Sequence, residues 1–242
     1  MKGTCCNLDK IARSGALLKG LPFLPSKKEE RELFIKHIVI LGDSVAYGYG
    51  TRGGIAKHLK EAFPGTTVTN LGINGLTSHG LIGRLQENRW DSVLRSADMV
   101  LLNIGGNDLL RGFRTHGAKG LIRQFAVMKR IYRKNLLAIY RHIRELNEEA
   151  IIVQNNLYNS MKKNVQYFGF TDLLLRTWNR AIGEEGVIIS RTDPMNKKEG
   201  IWLDDVHPNE EGYKLMHELL MQTLEGTGLR VKGHEGPAQA EH

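Results

Sequence analysis

Cysteine is almost missing from this chain. Its two cysteines, Cys5 and Cys6, are adjacent, too few and too close together to build a disulfide framework, so a reducing compartment is expected. No export signal is expected either. The apolar stretch Ala16-Leu17-Leu18-Lys19-Gly20-Leu21-Pro22-Phe23-Leu24 is broken by Lys19 and Pro22, and no small-residue cleavage site follows it. The charge cluster from Lys27 to Glu32 comes next. A lipoprotein cysteine would follow an apolar stretch, whereas Cys5 and Cys6 precede this one. With no convincing transmembrane segment either, the expected location is cytoplasmic. Internal repeats and a low-complexity core are lacking, and no G-x-x-x-x-G-K-[ST] sequence supports a Walker-type phosphate loop.

What is present describes one ordinary globular domain: 242 residues, 41% hydrophobic and 25% charged. The net charge of +8 and a sequence pI of about 9.5 favour anionic partners, and a membrane surface, a phospholipid head group or a nucleic acid would each fit. Residues 1 to 36 read as a flexible or loosely docked arm. Residues 226 to 242, rich in Gly and polar residues with no apolar period, read as a fraying tail. The expected domain is 37 to 225.

Within it the chain alternates between two periods. Strand-like apolar runs occur at 37–42, 66–71, 98–104, 150–154 and 186–190. Helical patterns fill the gaps at about 52–63, 77–96, 117–148 and 168–184, with a last helix at about 209–224. Five strands separated by helices imply βαβ units and a parallel sheet covered on both faces. The longest helix carries a core stripe, Leu121, Phe125, Met128, Tyr132, Leu136, Ile139, Ile143 and Leu146, at spacings of three and four. Its other face bears Lys119, Arg123, Lys129, Arg130, Arg133, Lys134, Arg141 and Arg144 with no acid before Glu145. That face suits solvent, an anionic membrane or an acidic substrate.

The chain is organised around Gly42-Asp43-Ser44, directly after the apolar run His37 to Leu41. A serine there sits at the carboxyl end of a strand, where open α/β sheets place their chemistry. A hydroxyl is a weak nucleophile, so it needs a base, a group to orient the base, and donors for the oxyanion that forms. His207 is the candidate base, in the loop Leu203-Asp204-Asp205-Val206-His207-Pro208-Asn209. One tight turn would bring Asp204, three residues earlier, to its Nδ1, while Asp205 would point elsewhere. Gly75 after the second strand can present a bare backbone N–H. Asn107, after Gly105-Gly106, can bring a side-chain amide to the same cleft. Singly, each has a structural reading: a packed histidine, a turn glycine, a helix-capping Asn-Asp pair. Jointly they are stronger, because all fall in loops after strands. Two other readings of nearby residues are weaker. Gly48-Tyr49-Gly50-Thr51-Arg52-Gly53 matches G-x-G-x-x-G, but six residues separate it from the strand and the second strand ends without an acid for a ribose. A metal at Asp204, Asp205 and His207 would lack further ligands at a recognisable spacing.

Taken together, the chain resembles the SGNH (GDSL-type) hydrolases over roughly residues 37 to 224. Gly42-Asp43-Ser44 matches the nucleophile block, Gly75 and Asn107 match the glycine and asparagine blocks, and Asp204 to His207 matches the D-x-x-H block, all in family order. Val45-Ala46 stands where the name-giving leucine is often found. The resemblance implies a flavodoxin-like three-layer α/β/α fold whose five parallel strands are ordered 2-1-3-4-5, and hydrolysis of esters or thioesters without a metal or cofactor. It implies Ser44, His207 and Asp204 as the triad, with an oxyanion hole formed by the N–H groups of Ser44 and Gly75 and the Asn107 amide. Asp43 and Asp108 are read as supporting hydrogen bonds rather than chemistry. Tyr47, Leu109 and Tyr158 are expected in the pocket wall, with Tyr49, Phe113, Met161, Tyr167 and Phe168 adding apolar character. The expected partner is a small-molecule or lipid ester, of lysophospholipase or acyl-esterase type rather than a carbohydrate O-acetyl group. Peripheral contact with an anionic membrane fits the charge, and no nucleic acid is expected. A hydrolase fold kept as a binding module is the reading from another class.

Overall fold

The computed structural model describes residues 31–162, 165–196 and 198–233. The elements in chain order are β1 (Arg31–Ile35), β2 (His37–Gly42), α1 (Ser44–Tyr47), α2 (Gly54–Ala62), β3 (Thr67–Gly72), α3 (Ser78–Gln86), α4 (Asp91–Arg95), β4 (Met99–Asn103), α5 (Gly106–Leu146), β5 (Ile151–Asn155), α6 (Phe168–Asn179), β6 (Val187–Ser190) and α7 (Glu210–Gly226), then β7 (Leu229–Gly233). Five of the strands form one parallel sheet in the order β3-β2-β4-β5-β6. Counted from His37, this is the order 2-1-3-4-5 that the family resemblance implied.

The alternation of side chains along a strand builds the three layers. Ile38 and Ile40 of β2 point to one face and pack with Leu59 of α2 and with Met216, Leu220 and Leu224 of α7. Val39 and Leu41 point to the other, where Leu81 and Leu85 of α3, Leu136, Ile139 and Ile143 of α5 and Trp178 of α6 meet them. With both faces covered, β2 and β4 have no polar side to show, and their continuous apolar runs follow. Tyr132 of α5 stacks on Trp178 with ring centroids 4.8 Å apart, and its hydroxyl donates to the Ile104 carbonyl at 2.8 Å.

The structure corrects the sequence reading at several places. Arg31–Ile35 belongs to the expected arm and Leu229–Gly233 to the expected tail, yet the two pair in parallel over five residues. Ile35 and Leu229 are buried in the core layer under α7. The alternations Leu33-x-Ile35 and Leu229-x-Val231 are short and sit amid charges and glycines, so neither reads as a strand until it meets its partner. The rest of the arm and tail, residues 1–30 and 234–242, lies outside the described residues. The helix expected at 77–96 is two, α3 and α4, separated at Asn88, whose φ of 58° breaks the right-handed run. The helix expected from 117 begins at Gly106 and is kinked at Gly117 (φ 62°, ψ −179°). The four-residue α1 was not expected at all.

One glycine fixes the position of the site. Gly42 ends β2 at φ 143°, and a Cβ there would lie 2.0 Å from the Asn103 carbonyl oxygen of β4. Gly42→Ala is expected to cost about 3 kcal/mol or more of stability through backbone strain and the clash with main chain. Urea unfolding of the variant beside the parent measures this, and a loss under about 0.5 kcal/mol, the usual range for surface changes, would contradict it.

Candidate active site

The loop after β2 is built to present a hydroxyl. The Asp43 amide donates to the Asn103 carbonyl at 3.0 Å, carrying the β2–β4 pairing one step beyond Gly42. Asp43 then caps α1, its carboxylate accepting from the Val45 amide at 3.0 Å. Ser44 is the first residue of that helix. From β3, the Asn70 amide donates to the Ala46 carbonyl at 2.9 Å and to the Tyr47 carbonyl at 3.3 Å, holding the far end of α1.

The loop between β6 and α7 brings the base. His207 Nε2 lies 2.9 Å from Ser44 Oγ, across 163 residues of chain. Its Nδ1 lies 2.8 Å from Asp204 Oδ2 and 3.0 Å from Oδ1. Asp204 Oδ1 also accepts from the amides of Val206 at 2.8 Å and His207 at 2.7 Å, so the turn that makes the pair is tied by the carboxylate itself. Burial raises the Asp204 carboxyl, but its hydrogen bonds from the His207 ring and from the His207 and Val206 amides outweigh this and hold it below the usual carboxylate range. An ionised carboxylate can only accept, so Nδ1 carries the proton and Nε2 is left to accept from Ser44. Asp205 is exposed, and its side chain has no hydrogen-bond partner among the described residues.

The two remaining predicted donors are linked to each other. Gly75 (φ 75°) occupies the third position of a turn closed by the Leu76 amide on the Ile73 carbonyl at 3.2 Å, a place that needs a positive φ. A Cβ on Gly75 would meet nothing within 4 Å. Asn107 Nδ2 donates to the Leu76 carbonyl at 3.0 Å, which spends one of its two amide hydrogens and ties α5 to the Gly75 loop. Asp108 braces the same junction, accepting from Ser78 Oγ at 2.6 Å and from the Ser78 amide at 2.9 Å. Asn135 then donates to Ser78 Oγ at 2.9 Å. Asp43 and Asp108 thus hold structure, as expected of them.

The expected pocket wall is only partly there. Tyr47 is exposed on α1, but Leu109 is 8% exposed and packs in the core layer beneath α3 and α5. Tyr158, half-buried, donates its hydroxyl to the Val206 carbonyl at 2.8 Å and so braces the His207 loop. Tyr49 has a role the sequence did not suggest: its ring lies 4.5 Å from the His207 ring, tilted by 37°. Asn103 was also missed, although it accepts the Asp43 amide through its carbonyl and donates its side-chain amide to Asp43 Oδ1 at 3.2 Å. An asparagine closing a buried apolar strand was the available signal. The glycines from Gly48 to Gly54 form a tight loop between α1 and α2, pinned by Thr51 Oγ1 donating to the Gly48 carbonyl and accepting from the Gly54 amide. No group of three or more His, Cys, Asp or Glu side chains suited to a metal occurs among the described residues. A cavity of about 620 Å³ lies elsewhere, beside α6 and β6, with Arg176, Arg180, Arg191, Asp172 and Asp193 in its lining.

Residues 40–215 match the model of the GDSL-like lipase/acylhydrolase family. The chain belongs to that family. The resemblance drawn from its motifs is therefore correct, and GDSL-type ester hydrolysis is its chemistry class. It is 27% identical over 214 residues to the uncharacterised protein YpmR of Bacillus subtilis (strain 168), covering 80% of this chain and 84% of that one. Among solved structures, the lipase Lip_vut3 from a goat rumen metagenome matches with a TM-score of 0.66 at 21% identity, over 77% of this chain and 96% of its own. Axe2, an acetylxylan esterase from Geobacillus stearothermophilus, matches with a TM-score of 0.56 at 18% identity, over 81% of this chain and 96% of its own. At these identities the likeness is one of fold.

Burial beneath the GDSL serine has a measurable consequence. Asp43 is 3% exposed, and desolvation raises its carboxyl to about 6 despite the hydrogen bonds from Val45 and Asn103. A carboxyl raised in the folded state favours folding while protonated, and that advantage is lost as pH rises from the unfolded value near 3.8 through about 6. Asp43→Asn removes this term. Relative to the parent, the variant should gain roughly 2 kcal/mol of stability between pH 4 and pH 7. Urea titrations at the two pH values measure it, and a difference that does not change with pH would refute the assignment.

Proposed function

We propose that the chain is a serine esterase that hydrolyses carboxylic esters and thioesters through an acyl-enzyme on Ser44. One observation carries this reading: the unbroken hydrogen-bond path from Ser44 Oγ through His207 to Asp204, with contacts of 2.9 and 2.8 Å. His207 Nε2 takes the Ser44 proton as Oγ attacks the acyl carbon. The charge then borne by the imidazolium is met by the ionised Asp204. The new oxyanion is held by the amides of Ser44 and Gly75 and by the second side-chain N–H of Asn107, the first being engaged with Leu76. The protonated Nε2 returns its proton to the departing alcohol or thiol. Water, deprotonated by the same nitrogen, then attacks the acyl carbon and releases Ser44. Tyr49, lying against the imidazole, keeps its ring in the plane that both partners need.

The substrate class we assign is an acyl ester with a chain of several carbons, of lysophospholipase or general acyl-esterase type. Tyr47 and Tyr49 are exposed after β2, Phe113 in α5, Tyr167 after β5 and Leu203 in the His207 loop. All follow strand ends on the Ser44 side of the sheet and would meet an apolar chain. Carbohydrate O-acetyl groups, the substrate class named for Axe2, are the alternative.

Hydrolysis of p-nitrophenyl esters from acetate to laurate tests both levels. Turnover is expected to peak beyond acetate and to vanish in Ser44→Ala. Asp204→Asn should lose up to about 10⁴-fold in kcat through the wrong imidazole tautomer, and Asn107→Ala roughly 10²- to 10³-fold. An optimum at acetate, with acetylated sugars hydrolysed and longer chains refused, would favour the O-acetylesterase reading. A fully active Asp204→Asn beside an inactive Asp205→Asn would displace Asp204 from its role.

A further inference from the structure

Helix α5 is far longer than the sheet it covers. Tyr132 is level with the carboxyl end of β4, since its hydroxyl reaches the Ile104 carbonyl. Asn147, just past the helix, donates to the carbonyls of Leu94, Arg95 and Ala97, which precede β4. Residues 132–146 therefore span the full height of the sheet. Everything before them rises beyond its carboxyl end, the end that carries Ser44. At 1.5 Å per residue the 14 residues from Ala118 to Ile131 project about 20 Å. Residues 106–116 run out alongside, and Gly117 makes the turn. The two halves pack closely because Gly112 has no side chain: a Cβ there would collide with Met128 and touch Leu121.

The outer surface of this hairpin has an unusual composition. From Leu109 to Arg144 the chain holds no Asp or Glu, while Arg111, Arg114, Lys119, Arg123, Lys129 and Arg130 all lie within the projecting part. Among these cations stand four large apolar side chains, Phe113, Ile122, Val127 and Ile131, each 47–56% exposed. Tyr167, Phe170 and Leu173, at the start of α6, are exposed on the same end of the sheet. Apolar side chains of this size left in water on a projecting, wholly cationic element mark a surface that something covers.

We propose that the projecting half of α5 docks on an anionic lipid bilayer and brings the Ser44 cleft to the membrane surface. The two kinds of side chain select this occupant. Helices that combine basic and apolar residues lie in the interface of anionic membranes, apolar groups at the acyl boundary and cations at the head groups. A nucleic acid would match the charge but leave Ile122, Val127 and Ile131 wet. A second copy in a two-fold pair would cover them but set six cations against six. Docking deepens the esterase reading, on which its purpose rests, by supplying lipid esters from the bilayer to the serine.

Sedimentation of the full chain with vesicles tests docking independently of turnover. The chain should bind vesicles of an equal mixture of phosphatidylcholine and phosphatidylglycerol at least about 10²-fold more tightly than pure phosphatidylcholine, since each Lys or Arg near an anionic surface contributes about five-fold. High salt should weaken the binding. Arg123→Glu with Arg130→Glu should lose roughly 10²-fold, and Ile122→Ser with Val127→Ser about ten-fold. None of these residues belongs to the Ser44–His207–Asp204 path or to its oxyanion donors, so turnover of soluble p-nitrophenyl butyrate should be unchanged in both variants, which also shows that they fold. Equal binding to both kinds of vesicle, or unchanged binding by the charge-reversed variant, overturns the proposal. So does a chain that ignores vesicles but binds duplex DNA or self-associates through these same cations. Vesicle binding without any ester turnover would sink the esterase reading and leave docking standing.

Discussion

The hydrogen bond from the Asp43 amide to the Asn103 carbonyl is the constraint on which the serine depends. It extends the pairing of two central buried strands past the point where β2 would otherwise leave the sheet. The next backbone step is forced to turn there, and α1 starts with Ser44 at its first position. Gly42 is required because β4 approaches too closely for any side chain. Asp43 is required because the turn leaves the Val45 amide without a helical partner. The serine's position thus follows from the most buried part of the sheet, and no loop flexibility intervenes between the core and the nucleophile.

The opposite partner arrives by a different kind of control. The His207 loop is more exposed than the Ser44 turn, and it is held by polar contacts rather than by core packing. Asp204 accepts from two amides of its own turn as well as from the imidazole, so one carboxylate shapes the loop and fixes the tautomer. Tyr158 takes the Val206 carbonyl, and the antiparallel bridge between Trp202 and Pro208 closes the base of the loop. The rigid member of the pair is the nucleophile, and the member that must change charge during catalysis keeps access to water. That division suits a base that ionises and recovers twice in each cycle.

How much of this was legible in the sequence follows from the range of each signal. The central strands of the main sheet could be read because burial on both faces writes a continuous apolar run, as in Met99 to Leu102, whereas the order of the five strands was implied only by the resemblance to the SGNH hydrolases. Ser44 could be read because it follows its strand almost directly, and Asp204 and His207 because they stand three residues apart. The β1–β7 pair could not, since each strand holds only two inward apolar residues and its partner lies 198 residues away. The orientations of Leu109 and Tyr158 were hidden for a related reason. Sequence gives a residue's loop but not its direction, and these two turn towards the core and towards the Val206 carbonyl. The start of α5 was hidden because Gly105, Gly106, Gly112 and Gly117 have low helix propensity and interrupt the apolar period. Gly112 in fact serves the packing of the two halves of the hairpin.

The polar groups buried at the carboxyl end of the sheet explain why the site is costly to build. Asp43, Asn103, Ser78, Asn135 and Asn155 are all buried, where apolar side chains would pack with less desolvation. Each is engaged with a neighbour instead: Asp43 with Asn103, Asn103 with Asn155, and Ser78 with Asp108 and Asn135. Such a network carries two loops, the Ser44 turn and the Gly75 loop, on fixed polar contacts rather than on side chains free to repack. An apolar replacement of any one of them would leave its partners buried without a hydrogen bond, so the network keeps the donors and the nucleophile in register at the desolvation cost that raises the Asp43 carboxyl.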